Sequence, residues 1–465
     1  WLGPTALTGG FFFPRTTGKN DTINSRLVIN PNLEIFRMKH SVEEVVLNNG
    51  SRGLLIHIPN ATVVSYDFEF RAGHDYCMND DIYETPHIME HMVLGANETY
   101  PNARQFNAEL EKNGAYSNAS TSSASLKYVA DCADFEWDRV LDLLRLAITK
   151  PLFLQTEFES ETGNVKEELT GYLSNNGRVL WQRIGQASGE HFFNDDERLK
   201  TMPAIKLKDI KEHYYRTHTS DNLRFIIAGN LKDERKSTII KMLEKWDLAR
   251  GERFALVREE LVGAQEPIHI LRKDVENVIF GLSVQANWRL PDHEADAMAA
   301  LNHMLTGSLH SAIYGRAREQ GLAYSVWSDF VVSDSASEWD FGGQVSAKNA
   351  PKLFGIVAEE VKKVLDGKIT AAEIDAAKQF AMGKHQMGCQ TVGSIAGWYA
   401  RRYYFDGYID DYVDRPKAIA AVNKQTIVKA ASDLIDGKRW AFGGLGNTSQ
   451  DTLKELHQQL SAMFD

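Results

Sequence analysis

Pro86-His87-Ile88-Met89-Glu90-His91-Met92-Val93-Leu94 is the stretch from which the rest of the chain can be read. It has the start of a helix, with Thr85 as a capping residue and Pro86 in a first turn, where a missing N–H costs nothing. On a helix His87 and His91 lie four residues apart and share a face, and Glu90 leans to the same side. Two imidazoles can grip a zinc ion while the carboxylate takes a proton from its water. With 14 histidines in 465 residues, chance supplies only about 0.03 such patterns.

Outward from that stretch, the chain repeats itself. His91-Met92-Val93-Leu94-Gly95 is answered by His303-Met304-Leu305-Thr306-Gly307 at an offset of 212 (303 less 91). Tyr116-Ser117 is answered by Tyr324-Ser325 at 208, and Gly229-Asn230 by Gly446-Asn447 at 217. A near-constant shift within one order of elements marks an internal duplication.

In the first copy a hairpin is expected through Val45–Leu47, Asn48-Asn49-Gly50 and Gly53–Ile58. Strands are expected over Val63–Phe70, Ser123–Val129 and Leu223–Ala228, with helices over Ala103–Asn113, Phe135–Ile148 and Thr156–Leu173. The second copy shows strands over Val278–Val284, Ser325–Val332, Trp339–Val345 and Trp440–Gly444. Its helices are expected over Glu294–Leu305, Pro351–Leu365 and Ala371–Gln386. The class is therefore α+β: two homologous domains, each a mostly antiparallel sheet covered by helices. The expected division is an extension over 1–42, a zinc-binding domain over 43–250, a linker over 251–265 and a silent second domain over 266–465. Phe11-Phe12-Phe13 of the extension is expected to dock on the body.

The duplication works as an internal control. At offset 212 His87 becomes Ala299 and Glu90 becomes Asn302, while only the counterpart of His91, His303, survives. One imidazole with no carboxylate cannot hold a catalytic zinc. A side chain required by the fold would persist in both copies, so the first-copy site reads as functional.

Two histidines need a third ligand. Glu161 and Glu168, two helical turns apart with Val165 between them, project to one side. Glu167 competes but sits about 100° around the helix. At offset 216, anchored on Glu157-Phe158 against Glu373-Ile374, Glu168 becomes Lys384.

Thr85–Thr99 resembles the pitrilysin-like M16 zinc metallopeptidases, whose HxxEH pattern is the inverzincin motif. The resemblance implies a third ligand some 76 or 77 residues after the second histidine, where Glu168 stands. It also implies a supporting acid seven residues earlier, at Glu161, which orients a ligating histidine or restrains Glu168. Gly114-Ala115-Tyr116-Ser117-Asn118-Ala119-Ser120-Thr121 is similar to the family's substrate strand, in which Asn118 and Ala119 would pair with extended peptide. Arg318-Glu319-Gln320-Gly321-Leu322-Ala323-Tyr324-Ser325 resembles a segment of the silent half. There Tyr324 would steady the oxyanion, and Arg316 or Arg318 would contact substrate. Two departures stand out: Glu84 adds a carboxylate near the metal, and neither arginine has the family's seven-residue spacing to the tyrosine.

The resemblance implies a Zn2+-dependent endopeptidase, a hydrolase acting on peptides or unfolded segments inside a closed chamber. His87, His91 and Glu168 would hold the ion, Glu90 would be the base, and Glu161 and Tyr324 would assist. The family forms clamshells and this chain supplies one half, so a homodimer, or a heterodimer with a sister M16 subunit, is expected. The alternatives are a non-catalytic scaffold or assembly subunit, and a zinc hydrolase acting on non-peptide amides.

Composition sets the outer bounds. A formal charge of −11 with 25% charged residues argues against a general binder of nucleic acid or anionic membrane. No apolar run reaches 18 residues, so no membrane span is expected. Three scattered cysteines, Cys77, Cys132 and Cys389, imply no disulfide framework. Trp1-Leu2-Gly3 reads as a processed or cloned end, and no signal peptide is visible; a soluble protein is expected, the cytoplasm slightly favoured. His213 and His218 are expected to be solvated rather than ligands.

Overall fold

The computed structural model describes residues 39–333 and 335–464. The notable feature of its sheets is that the second repeats the first. The first has β1 (Ser41–Val46), β2 (Arg52–His57), β3 (Val63–Phe70), β4 (Tyr116–Thr121), β5 (Leu126–Ala133) and β6 (Arg224–Gly229), in spatial order β1-β2-β6-β3-β5-β4. The second has β7 (Ile268–Leu271), β8 (Asn277–Ala286), β9 (Ala323–Val332), β10 (Ser337–Ser346) and β11 (Arg439–Gly446), in order β7-β11-β8-β10-β9. Superposing the orders pairs β2 with β7, β6 with β11, β3 with β8, β5 with β10 and β4 with β9. The parallel β2–β6 contact recurs as β7–β11, and the other pairings are antiparallel in both. The fold is α+β, with two mostly antiparallel sheets dressed by helices.

Sequence pattern explains each strand's place. Leu54-Leu55-Ile56 and Phe225-Ile226-Ile227-Ala228 are unbroken apolar runs, and all seven residues are buried, as strands covered on both faces require. Tyr116–Thr121 instead alternates exposed and half-buried residues and forms the sheet edge. The expected strand at Ser123–Val129 proves to straddle a turn: β4 ends at Thr121, Ser122 and Ser125 close the turn, and β5 starts at Leu126. The helix expected over Ala103–Asn113 ends at Leu110, because Asn113 takes a left-handed φ of 61°.

One face of the first sheet packs a core that includes Phe68, Phe70, Met89, Met92 and Val165. The other face, Leu54, Ile56, Ile226 and Ala228, is covered by Ile395, Tyr399 and Tyr403 of the helix Val392–Asp406. The second sheet is covered reciprocally. Leu180 and Ile184 of the helix Asn176–Ala187 lie on Ala441 and Leu445, and Trp181 meets Trp327 with ring centroids 5.5 Å apart. A Cβ on Gly281 would come within 2.7 Å of Ile184 Cδ1, and one on Gly443 within 2.9 Å of Leu180 Cδ1. Each copy thus contributes a helix to the other copy's sheet. Neither helix was anticipated.

His213 and His218 are not solvated. Both are buried: His213 Nε2 lies 2.8 Å from the Ala72 carbonyl and His218 Nε2 2.8 Å from the Tyr128 hydroxyl. Burial pushes the His213 imidazole down to about 3, so it serves as a neutral hydrogen-bonding core residue. The expectations for residues 1–38, the docking of Phe11–Phe13 among them, lie outside the described residues. No helix among the described residues is long and apolar enough to cross a membrane.

The second sheet also holds an acid that its neighbours repel. Asp340 on β10 faces Asp329 across the β9 register, its Oδ1 is buried without a partner, and burial raises its pKa to about 8. An acid whose folded pKa is raised penalises the fold as pH climbs from the unfolded value near 4 toward 8. Asp340→Asn should therefore raise the melting temperature at pH 8, by about 2–4 °C for a gain on the order of 1 kcal/mol. That gain should vanish near pH 4. A gain independent of pH would rule out ionisation as its source.

Candidate metal centre

His87 and His91 come from the helix Thr85–Val93, Glu168 from the helix Gln155–Tyr172 packed beside it. Glu84 rather than Thr85 occupies the cap position and caps nothing with its side chain; Thr85 Oγ1 donates back to the Ile82 carbonyl at 2.7 Å. Pro86 fits the first turn as expected.

Ligand atoms of His87, His91 and Glu168 all lie within 4.8 Å of one another. Glu168 Oε2 is 3.6 Å from His87 Nε2 and 3.8 Å from His91 Nε2. Tetrahedral zinc with bonds of about 2.0–2.1 Å needs donors roughly 3.3 Å apart, so the spacing from Glu168 to each imidazole is within about half an ångström of that required, and the three side chains can close on one ion. Two nitrogens and one oxygen, with a direction left open, are also the donor set of catalytic zinc sites. Glu167 is exposed and takes no part.

What stands behind the donors fits as well. His87 Nδ1 lies 2.6 Å from Glu84 Oε1, and His91 Nδ1 lies 3.0 Å from Glu161 Oε2. With both Nδ1 atoms engaged by carboxylates, both Nε2 atoms are presented to the cluster. Asn164 donates to Glu161 Oε2 at 3.0 Å, and the Tyr172 hydroxyl donates to Glu168 Oε1. Glu84 is fully buried and held by a two-pronged ion pair from Arg198, with Nε 2.7 Å from Oε2 and Nη2 2.6 Å from Oε1. Arg198 continues to Asp195, which a second guanidinium, Arg178, grips at 2.6 and 2.8 Å. Burial alone would raise the Glu84 carboxyl. The nearby His74 imidazole, the His87 hydrogen bond and the Arg198 charge outweigh it and hold Glu84 well below the ordinary carboxylate range. Burial likewise opposes a charged His91, but Glu161 and the other carboxylates prevail and raise its pKa.

Sequence reasoning noted Glu84 only as an extra acid near the metal, and missed Arg198 altogether. The structure puts Glu84 behind His87, facing away from the ligand atoms. Arg198 was findable in principle, because the second copy repeats the pair as Asp296 and Arg415.

Glu90 is 8% exposed, and its Oε2 accepts from Thr121 Oγ1 at 2.7 Å. Burial pushes its carboxyl up, against the pull of Thr121 and the two histidines. Thr121 ends the edge strand β4, which also carries the exposed Asn118 and half-buried Ala119.

No hydrogen bond, ion pair or ring contact joins Tyr324, Arg316 or Arg318 to this cluster among the described residues. Tyr324 is 82% exposed at the start of β9, with the Arg318 guanidinium 4.8 Å over its ring. Arg316 is tied instead to Glu359 and Glu360 of the helix Ala350–Leu365. Of the two arginines, only Arg318 accompanies Tyr324.

Two family models match, one described as Insulinase (Peptidase family M16) over residues 53–188 and one as Peptidase M16 inactive domain over residues 204–380. The chain belongs to peptidase family M16. Among M16 relatives, an uncharacterized zinc protease of Streptomyces coelicolor is 22% identical over 402 residues, 81% of this chain and 83% of that protein. The insulin-degrading enzyme of Drosophila melanogaster is 27% identical over 214 residues, 43% of this chain. That match spans only 21% of the insulin-degrading enzyme. Among solved M16 structures, a peptidase M16 inactive domain from Pseudomonas fluorescens aligns with a TM-score of 0.76 at 16% identity, covering 88% of this chain and 98% of that one. At that identity the likeness speaks to the fold alone.

Removing the carboxylate behind His91 tests its part in the centre. Glu161→Gln should weaken zinc binding about 10–100-fold in competition with a chromogenic chelator, with an unchanged melting temperature. Glu167→Gln should leave affinity untouched. Equal affinities for all three proteins would assign Glu161 to the helix surface.

Proposed function

We propose that the chain is a zinc-dependent endopeptidase acting on peptides or unfolded segments. One observation carries the reading: the ligand atoms of His87, His91 and Glu168 converge from two helices beside a buried acid, Glu90. Held there, zinc supplies a Lewis acid that polarises a carbonyl and lowers the pKa of water.

The chain's own residues do the rest. Glu90, its pKa raised by burial, accepts the proton of the attacking water and returns it to the leaving amine. Glu84 and Glu161 fix the two imidazoles, and Tyr172 fixes Glu168. β4 is a sheet edge that ends at Thr121, beside Glu90. A substrate strand paired along Asn118 and Ala119 would run its backbone past the acid, reading main chain more than side chains.

Tyr324, exposed and unconnected to the cluster, supports a dimer in which a facing subunit completes the oxyanion site, either a second copy or a sister M16 chain. Arg318 beside it is the arginine that would touch substrate. We likewise propose the domain division given above, with the zinc-binding residues all in 43–250. A scaffold role is the second reading, favoured by the match to a family model described as inactive.

Metal content and cleavage of a random peptide library by the full chain separate the two. A peptidase should copurify with about one zinc per chain, lose cleavage on chelation and regain it with added zinc. A chain that binds no zinc and cleaves nothing is a scaffold.

A further inference from the structure

In the second copy, the place of the metal centre is taken by a cavity of about 450 Å3. It lies between the helices Asp292–Thr306 and Ala371–Met387, the counterparts of the two that carry His87, His91 and Glu168. The repeat register explains how it opened. Ala299 stands where the first copy has His87, and Ala377, at offset 216, where it has Glu161. Two large polar side chains are thus cut back to methyl groups.

The surrounding support was kept. Asp296 answers Glu84 and Arg415 answers Arg198, and the two-pronged ion pair recurs between them. The ion pair that braces the metal centre is therefore kept around the cavity, in a more exposed form. Of the first copy's metal ligands only His303 has a counterpart here, its ring stacked on Phe380 at 3.7 Å, and among the described residues the lining groups His303, His385, Cys389 and Asp296 form no cluster able to hold a metal ion.

Charge is what changed most. Lys384 lines the cavity where the first copy has Glu168, and no ion pair engages it among the described residues. Lys378 also lines it, giving its Nζ only to the neutral Ala420 carbonyl at 3.0 Å. Asp296 is paired with Arg415, so the lining residues include two lysines, Lys378 and the exposed Lys384, that no ion pair engages among the described residues, in a chain of net charge −11. Phe380, Trp398, Ile419 and Val422 supply the apolar wall.

We propose that this cavity binds a small carboxylate carried on an apolar body, its head at Lys384 and its body along Phe380 and Trp398. A preformed apolar pocket of this size with a few placed polar groups suits a ligand on the order of ten to twenty non-hydrogen atoms. A free aliphatic acid and the apolar C-terminal residue of a short peptide share that chemistry.

Titration calorimetry on the full chain tests the idea, with octanoate and octanamide as one pair, and Ala-Ala-Phe and its C-terminal amide as the other. At least one acid should bind, and its amide should bind at least tenfold more weakly. Whichever acid binds identifies the source. Lys384→Glu should abolish binding, and Ala377→Leu, which fills the cavity, should do the same. Both variants must keep the wild-type melting curve; if one does not, Lys384→Gln, with a loss of about tenfold, decides. Zinc-stripped protein and Glu90→Gln should bind like wild type, which separates this site from the metal centre. No heat with either acid, equal binding of acid and amide, or binding that survives both folded variants would overturn the proposal.

Discussion

Glu90→Gln should lose peptide cleavage by about 10³-fold or more while keeping its full complement of zinc. The loss is at the upper end of what removing a general base costs, because the acid acts on both the attacking water and the leaving amine. The substitution is nearly isosteric, and a glutamine carbonyl can still accept from Thr121 Oγ1, as Glu90 Oε2 does now at 2.7 Å. His87, His91 and Glu168 are untouched, so metal content should stay at that of wild type. Mass spectrometric metal analysis and turnover of a fluorogenic peptide read the two quantities separately. Parallel loss of zinc and activity would mean that Glu90 acts on the metal site rather than on the proton. Equal turnover by the two proteins would remove Glu90 from the chemistry.

Ile184→Ala should give the largest loss of stability. The side chain is 1% exposed and sits on the second sheet although its helix belongs to the first copy. Truncating a buried isoleucine costs about 2–5 kcal/mol, the upper half where the site cannot collapse. Collapse is blocked here because Gly281 and Gly443 already bring the backbone of β8 and β11 against Ile184 and Leu180, leaving no opposing side chains to move in. Denaturant unfolding should show both copies weakened together, since the same helix is anchored to one and covers the other. If tryptophan fluorescence and circular dichroism reported separate transitions, with only one shifted, the exchanged helices would not couple the halves.

Much of the molecule was legible in its residues. The repeat register, read from matches such as His91–Gly95 against His303–Gly307, gave the duplication, and the two strand orders superpose accordingly. Long periodic elements came out within two or three residues, Val63–Phe70 without error. β5 was placed too early, at Ser123, because the turn closed by Ser122 and Ser125 leaves little polarity contrast with the strand, and the polar edge strand Tyr116–Thr121 was legible only through its family resemblance. His213 and His218 were misjudged because burial of a histidine depends on partners such as the Ala72 carbonyl and the Tyr128 hydroxyl, which are distant in the chain.

By itself the sequence determined which residues are chemically equipped: the spacing of His87, Glu90 and His91 is a property of one helix, fixed by its 3.6-residue period. It determined equally which copy had lost that equipment. Only the tertiary structure decided that Glu84 turns away to Arg198, that His213 and His218 are buried, and that each copy lends a helix to the other's sheet. Those outcomes depend on how two helices pack and on long-range pairing of buried charges and apolar faces, for which no local spacing carries a signal.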